Sequence, residues 1–165
     1  VVGAFGKVLV DSLKLELKNL AEVADADLQK LFNDERVIKY MPLAERPVSL
    51  EWVSEWKRGK SDLWESPDFG PWGVYLNDRF AGWAGLQPDG DACELAVVLS
   101  PWAWGRGMQV AEQTLARWRE LGLNLPIYVY LPVARRPERI AERLGMRFVK
   151  NFTWSGEEFV QFELL

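Results

Sequence analysis

The residues best placed to do chemistry fall in one stretch, Glu94-Leu-Ala-Val-Val-Leu-Ser-Pro-Trp-Ala-Trp-Gly-Arg-Gly-Met108. An apolar run, a Pro turn and a Gly-x-Gly step precede a periodic pattern over residues 110–121, which predicts strand, tight loop and helix N-terminus in that order. The first turn of a helix leaves backbone N–H groups unpaired, and its dipole favours negative charge. Gly105 and Gly107 would let backbone approach a ligand closely, so the loop suits a phosphate or pyrophosphate held by the amides of residues 105–110. An ordinary strand-to-helix turn is the competing account. Arg106 adds positive charge to the loop or is a solvated surface cation. Glu94 is the only carboxylate within the strand, among apolar neighbours. Partial desolvation would raise its pKa toward that of a useful base, whereas a strand-edge ion pair would leave it a structural residue.

What the chain lacks narrows the chemistry. There is no histidine among its 165 residues. This removes a Ser-His-Asp triad, a Cys-His pair and a His-ligated zinc site, and leaves proton transfer to carboxylate, Tyr, Lys, Cys or water. The one cysteine, Cys93, admits no internal disulfide; it fits a reducing, cytoplasmic setting and reads as core rather than nucleophile. The net charge of −4 argues against a general nucleic-acid binder. No apolar run approaches the roughly 20 residues of a membrane span. No metal site is expected.

The elements that must position Glu94 and the loop follow from periodicity. Residues 13–18 alternate as a half-buried strand. Asp25 and Asp27 precede Leu28, Leu31 and Phe32 and predict a capped helix. Residues 47–60 predict a second helix with Leu50, Val53 and Trp56 on one face, and residues 61–71 a loop. Strands are expected at 72–76 and 79–86 around Asn77-Asp78, then a turn at 87–91 and a strand at 93–99. The helix at 110–121 ends at Gly122. A strand at 127–131, a helix at 137–144 and a closing strand pair at 147–154 and 159–164 complete the order. One domain over 1–165 is expected, with residues 1–11 a terminal tag or an extra edge strand rather than a signal peptide. The order predicts an α/β (α+β) fold: a mixed, mostly antiparallel sheet with helices on both faces, and a parallel crossover spanning residues 94–131. A dinucleotide-binding unit is disfavoured, because the full Gly-x-Gly-x-x-Gly is missing and several strands precede the loop.

The line Glu94 to Gln109, with Gly82-Trp-Ala-Gly-Leu86 before it and Leu144-Gly-Met-Arg-Phe148 after it, resembles the GNAT superfamily of acyl-CoA N-acyltransferases over about residues 12–165. It looks most like the branch that includes ribosomal-protein N-terminal acetyltransferases. The resemblance implies a splayed parallel strand pair and acetyl-CoA as cofactor. Backbone groups of Val97, Val98 and Leu99 would pair with the pantetheine arm and hold the thioester carbonyl. The segment Trp104, Gly105, Arg106, Gly107, Met108 and Gln109 would cradle the pyrophosphate, and Arg135 with Arg136 would lie near the 3′-phosphate, a solvated basic helix face being the competing account of the two arginines. Glu94 would be the base of direct acetyl transfer to a primary amine, on a small molecule or a protein N-terminus, with no nucleic acid or membrane partner and either a monomer or a homodimer.

Four positions depart from the family pattern. Ala134 and Pro137 stand where Asn and Ser are usual, Ala141 where many relatives have the Tyr that protonates the departing thiolate, and Gln109 where a small residue is usual. The alternative is therefore a catalytically weak or inactive module that binds acyl-CoA or a partner. Tyr128 and Tyr130 are candidate acids, with packing the simpler account. Trp56, Trp64 and Phe69 fall in the helix–loop region that often shapes the acceptor pocket in this fold; Glu65 and Asp68 beside them would attract a protonated amine, with surface charge the simpler account.

Overall fold

A computed structural model describes residues 13–39, 41 and 47–164. The extra edge strand expected near residues 1–11 lies outside these. Seven strands form one sheet in the order β1-β2-β3-β4-β5-β7-β6. They are β1 Leu15–Asn19, β2 Trp72–Leu76, β3 Arg79–Asp89, β4 Ala92–Leu99, β5 Ile127–Pro132, β6 Arg147–Trp154 and β7 Glu157–Leu164. All neighbours are antiparallel except β4 and β5. The helices are α1 Asp25–Asn33, α2 Glu35–Ile38, α3 Leu50–Ser61, α4 Gly107–Glu120 and α5 Pro137–Leu144.

Local chemistry explains most boundaries. Asn77 and Asp78 both take positive φ, 48° and 64°, as a two-residue hairpin turn demands. The Ser49 hydroxyl accepts from Trp52 N and starts α3. Gly122 and Gly145, at φ 74° and 69°, end α4 and α5. Three expectations are corrected. The cap residue of α1 is Ala24, which offers no side-chain bond; Asp25 and Asp27 sit inside the first turn and act through the helix dipole instead. Leu50 is 50 % exposed, so the buried face of α3 begins at Val53. The turn expected at 87–91 is shorter, because β3 runs on to Asp89 and only Gly90-Asp91 turns. Pro88 is tolerated in β3 because pairing with β2 has ended at Ala84, and beyond it only β4 is paired. Short 3-10 turns at Pro67–Phe69 and Pro101–Ala103 add local order to two loops.

Strand alternation divides the core between the two sheet faces. On one face Cys93 and Leu95 of β4 and Leu86 of β3 pack with Ala111, Leu115 and Trp118 of α4. On the other face Trp83 meets Leu28, Leu31 and Phe32 of α1 and Val53 of α3, with Ala96 and Val98 of β4 against them. Each large apolar side chain so buried contributes about 1.5–3 kcal/mol. An edge-to-face chain of rings, Phe32–Trp56 at 4.7 Å and Trp56–Trp83 at 5.2 Å, fixes α3 over β3. The Lys57 Nζ–Asp25 Oδ1 ion pair, at 2.6 Å, ties α3 to the start of α1.

Candidate active site

The two parallel strands pair only at Cys93↔Ile127 and Glu94↔Tyr128. Beyond those residues both continue, β4 to Leu99 and β5 to Pro132, without pairing to each other. A cavity of about 460 Å³ lies along this divergence, with both strands and Gly107, Met108 and Arg135 in its wall. A second cavity of about 280 Å³ is lined by Val97, Leu99, Trp104, Gly105, Gly107 and Arg135. Together they bring Glu94, Val97, Val98, Leu99, Trp104, Gly105, Gly107, Met108 and Arg135 to one cleft.

At the loop end the backbone suits an anion. Gly105 has φ +97°, with open space where a Cβ would stand. The first intrahelical bond of α4 runs from Val110 N to Arg106 O at 3.0 Å, so the amides of Gly107, Met108 and Gln109 precede the ladder. No side chain caps α4, and its first turn carries no acidic residue. Trp104 anchors the turn by donating from Nε1 to Leu99 O at 3.0 Å. The Arg135 guanidinium carbon lies 5.6 Å from the centre of the Trp104 ring, so the loops that follow β4 and β5 meet across the cleft mouth. Arg106 and Gln109 are exposed, outside the lining of either cavity, and Arg106 Nη1 donates to Gln109 Oε1 at 3.3 Å. The extra bulk of Gln109 is therefore turned outward, and the arginine is engaged with it.

At the closed end of the divergence the chemistry is polar. Gln87 and Glu94 are cross-strand partners, as are Trp83 and Val98, so these four share one face. Trp56 and Lys60, four residues apart on α3, also line the cavity, as do Val37 and Met41. Burial raises the Glu94 carboxyl above its ordinary pKa, Asp89 adds to the rise, and Lys60 opposes it. Burial lowers the Lys60 ammonium, and Glu94 opposes that shift. The Lys60 ammonium donates to Gln87 Oε1. Tyr130, at the cavity wall, donates from its hydroxyl to Asp89 Oδ2 at 2.7 Å. Burial and that bond push its phenol well above its usual range.

Several expected residues are placed elsewhere. Trp64 and Phe69 pack on the α4 face: Trp64 lies edge-on to Trp118 at 5.0 Å and donates to Leu86 O at 2.9 Å. Glu65 and Asp68 are exposed outside the cavity lining. Only Trp56 of that group reaches the cleft. Cys93 is fully buried, donates to Pro126 O at 3.5 Å, and its thiol is pushed up to about 11 by burial, so it stays protonated at neutral pH. Ala134 is exposed, while Pro137 and Ala141 are buried. Ala141 belongs to the core beneath α5 and lies outside the cavity lining. Among the described residues no group of His, Cys, Asp and Glu side chains is arranged to hold a metal ion.

Lys60, Gln87, Trp83 and the Asp89–Tyr130 pair were not singled out as site residues from the sequence, apart from Tyr130 as a candidate acid. The signal was available. The i, i+4 spacing of Trp56 and Lys60 and the strand alternation of Trp83, Gln87 and Asp89 put them on the Glu94 side once the β3–β4 register is known.

The chain belongs to the acetyltransferase (GNAT) domain family, whose model matches residues 14–147. Acetyl-CoA is accordingly its cofactor, and the diverging strands and the uncapped start of α4 fit that molecule. Similar solved structures include a ribosomal-protein-alanine N-acetyltransferase from Brucella melitensis, with 13 % identity, TM-score 0.70 and coverage of 92 % of this chain and 99 % of that one. A putative acetyltransferase from Salmonella typhimurium with its cofactor acetyl-CoA shows 15 % identity, TM-score 0.67 and coverage of 93 % and 94 %. A spermidine N-acetyltransferase from Vibrio cholerae in complex with CoA and spermine shows 16 % identity, TM-score 0.66 and coverage of 92 % and 94 %. At these identities the likeness is one of fold. No curated protein matches the chain.

Proposed function

We propose that this chain is an N-acetyltransferase that moves an acetyl group directly from acetyl-CoA to a primary amine. The single observation that carries the reading is Glu94, half-buried with a raised pKa where the parallel strands part. Acetyl-CoA supplies an activated acyl carbon on a thiolate leaving group. The chain's own groups do the rest. The amides of Gly107, Met108 and Gln109, which precede the helix ladder, hold the diphosphate, and the unpaired edge of β4 from Leu95 to Leu99 holds the pantetheine arm. A backbone N–H near Val98 receives the charge that develops on the thioester oxygen. Glu94 takes a proton from the acceptor ammonium, directly or through one water. As the N–C bond forms, the nitrogen sheds its second proton to solvent, the C–S bond breaks and its electron pair leaves on sulfur. With Ala141 buried and the Tyr130 proton held by Asp89, solvent returns the proton to sulfur. A thiol titrates near 8.5, so little acid assistance is needed.

The ribosomal-protein branch is the finer placement suggested by the Glu94–Gln109 line, with a peptide N-terminus as one acceptor and a small-molecule amine as the other, in the cytoplasm. A second reading, an acyl-CoA-binding module without turnover, draws on Ala134, Pro137 and Ala141. Thiol release from acetyl-CoA over a panel of amines, beside a binding titration, separates the two. We expect turnover, and Glu94→Gln lowering kcat by about 10²–10⁴-fold with acetyl-CoA affinity unchanged. Full activity in that variant contradicts the role of Glu94, and binding without release across the panel favours the module.

A further inference from the structure

Two opposite charges share the closed end of the cleft without neutralising each other. Lys60 and Glu94 both line the cavity and each feels the other's charge, yet among the described residues no direct ion pair joins them. The Lys60 ammonium is bonded to Gln87 Oε1 and stands 5.7 Å and 5.6 Å from the ring centres of Trp56 and Trp83. Trp83 is 3 % exposed, lines the same cavity, and its indole Nε1–H has no hydrogen-bond acceptor among the described residues. A buried donor left unmet is costly, and an acceptor oxygen delivered by a ligand relieves that cost. The cavity therefore offers an ammonium and an orphan indole N–H for an anion, a carboxylate for a cation, and apolar wall from Trp56, Val37 and Met41.

Building on the acetyl-transfer reading, we propose that the acceptor is a free α-amino acid with an apolar or aromatic side chain. Its carboxylate is taken by Lys60 and the Trp83 N–H, its amine is presented to Glu94, and its side chain lies against the Trp56 wall. A polyamine brings a second cation toward Lys60 and gains no partner there. A peptide N-terminus brings an amide where the pocket offers cationic and N–H donors, and forgoes the charge-assisted bonds that a carboxylate makes.

The test is calorimetric titration of the CoA-saturated protein with L-phenylalanine, L-phenylalaninamide and spermidine, repeated on Lys60→Met, with acetyl transfer from acetyl-CoA to the same three amines measured in parallel. The methionine keeps the apolar stem over the tryptophans and removes only the charge. The acid is expected to bind at least tenfold more tightly than the amide, with spermidine weakest, and the variant should bring acid and amide to within about twofold. An amide that binds as well as the acid, a preference that survives in Lys60→Met, or no binding by any of the three overturns the proposal. The acid–amide comparison on the unmodified protein decides the question even if the variant fails to fold. A different failure, in which acetyl-CoA itself does not bind in the preceding titration, would defeat the acetyl-transfer reading on which this one rests.

Discussion

The Glu94 carboxyl sits between two influences of opposite sign, and both are open to mutation. Burial and Asp89 raise its pKa, while Lys60 lowers it. A base must be ionised to accept a proton, so a raised pKa means that activity is lost earlier on acidification than with an ordinary glutamate near 4.3. The pH profile of kcat should show a rising limb centred above that value. Removing the negative charge with Asp89→Asn should move the limb to lower pH, and removing the positive charge with Lys60→Met should move it to higher pH. A limb that stays fixed in both variants would place the titrating group elsewhere. The tyrosine beside the site offers no comparable handle, because Tyr130 is held by Asp89 with its phenol far above neutrality.

At the scale of elements, the β3–β4 pairing and the α4 turn shape the walls of the cleft. Gly82 of β3, at φ +149°, would place a Cβ 2.0 Å from Val98 O on β4. No L side chain fits that gap without moving the Val98 backbone. Gly82→Ala is expected to cost about 1–3 kcal/mol in urea unfolding and to weaken acetyl-CoA binding on the order of tenfold. An unchanged affinity in the destabilised variant would detach Val98 from the cofactor. Much of this arrangement was legible in the residues themselves. Asn77-Asp78 marked the hairpin, Gly122 and Gly145 the helix ends, and the line from Glu94 to Met108 the strand, loop and helix of the site. What stayed hidden was set by tertiary register. The short α2, capped by the Asp34 side chain on Arg36 N at 3.0 Å, is only four residues long and too brief to show a period. Trp64 and Phe69 have the composition of a binding loop, and only their packing against Trp118 shows that they face the other side of the sheet. The role of Lys60 depends on α3 lying over Gln87, 27 residues away in sequence.

Over the whole molecule, the sheet acts as a wedge. Its strands are paired continuously from β1 to β4 and from β5 through β7 to β6, and the two blocks are joined only by the short parallel contact at Cys93 and Glu94. The opening beyond that contact is the cleft, with the polar cluster at its closed end and the α4 N-terminus and the Trp104–Arg135 pair at its mouth. Among the described residues no helix is long and apolar enough to cross a membrane. Because acetyl-CoA is expected to lie along backbone rather than side chains, its footprint is best read from amide groups. A titration of isotope-labelled protein with acetyl-CoA, followed by amide resonance shifts, tests this directly. The shifts should concentrate in Leu95–Leu99 and Gly105–Val110. Shifts confined to another surface, or none at saturating ligand, would contradict the assignment of this cleft to the acetyl donor.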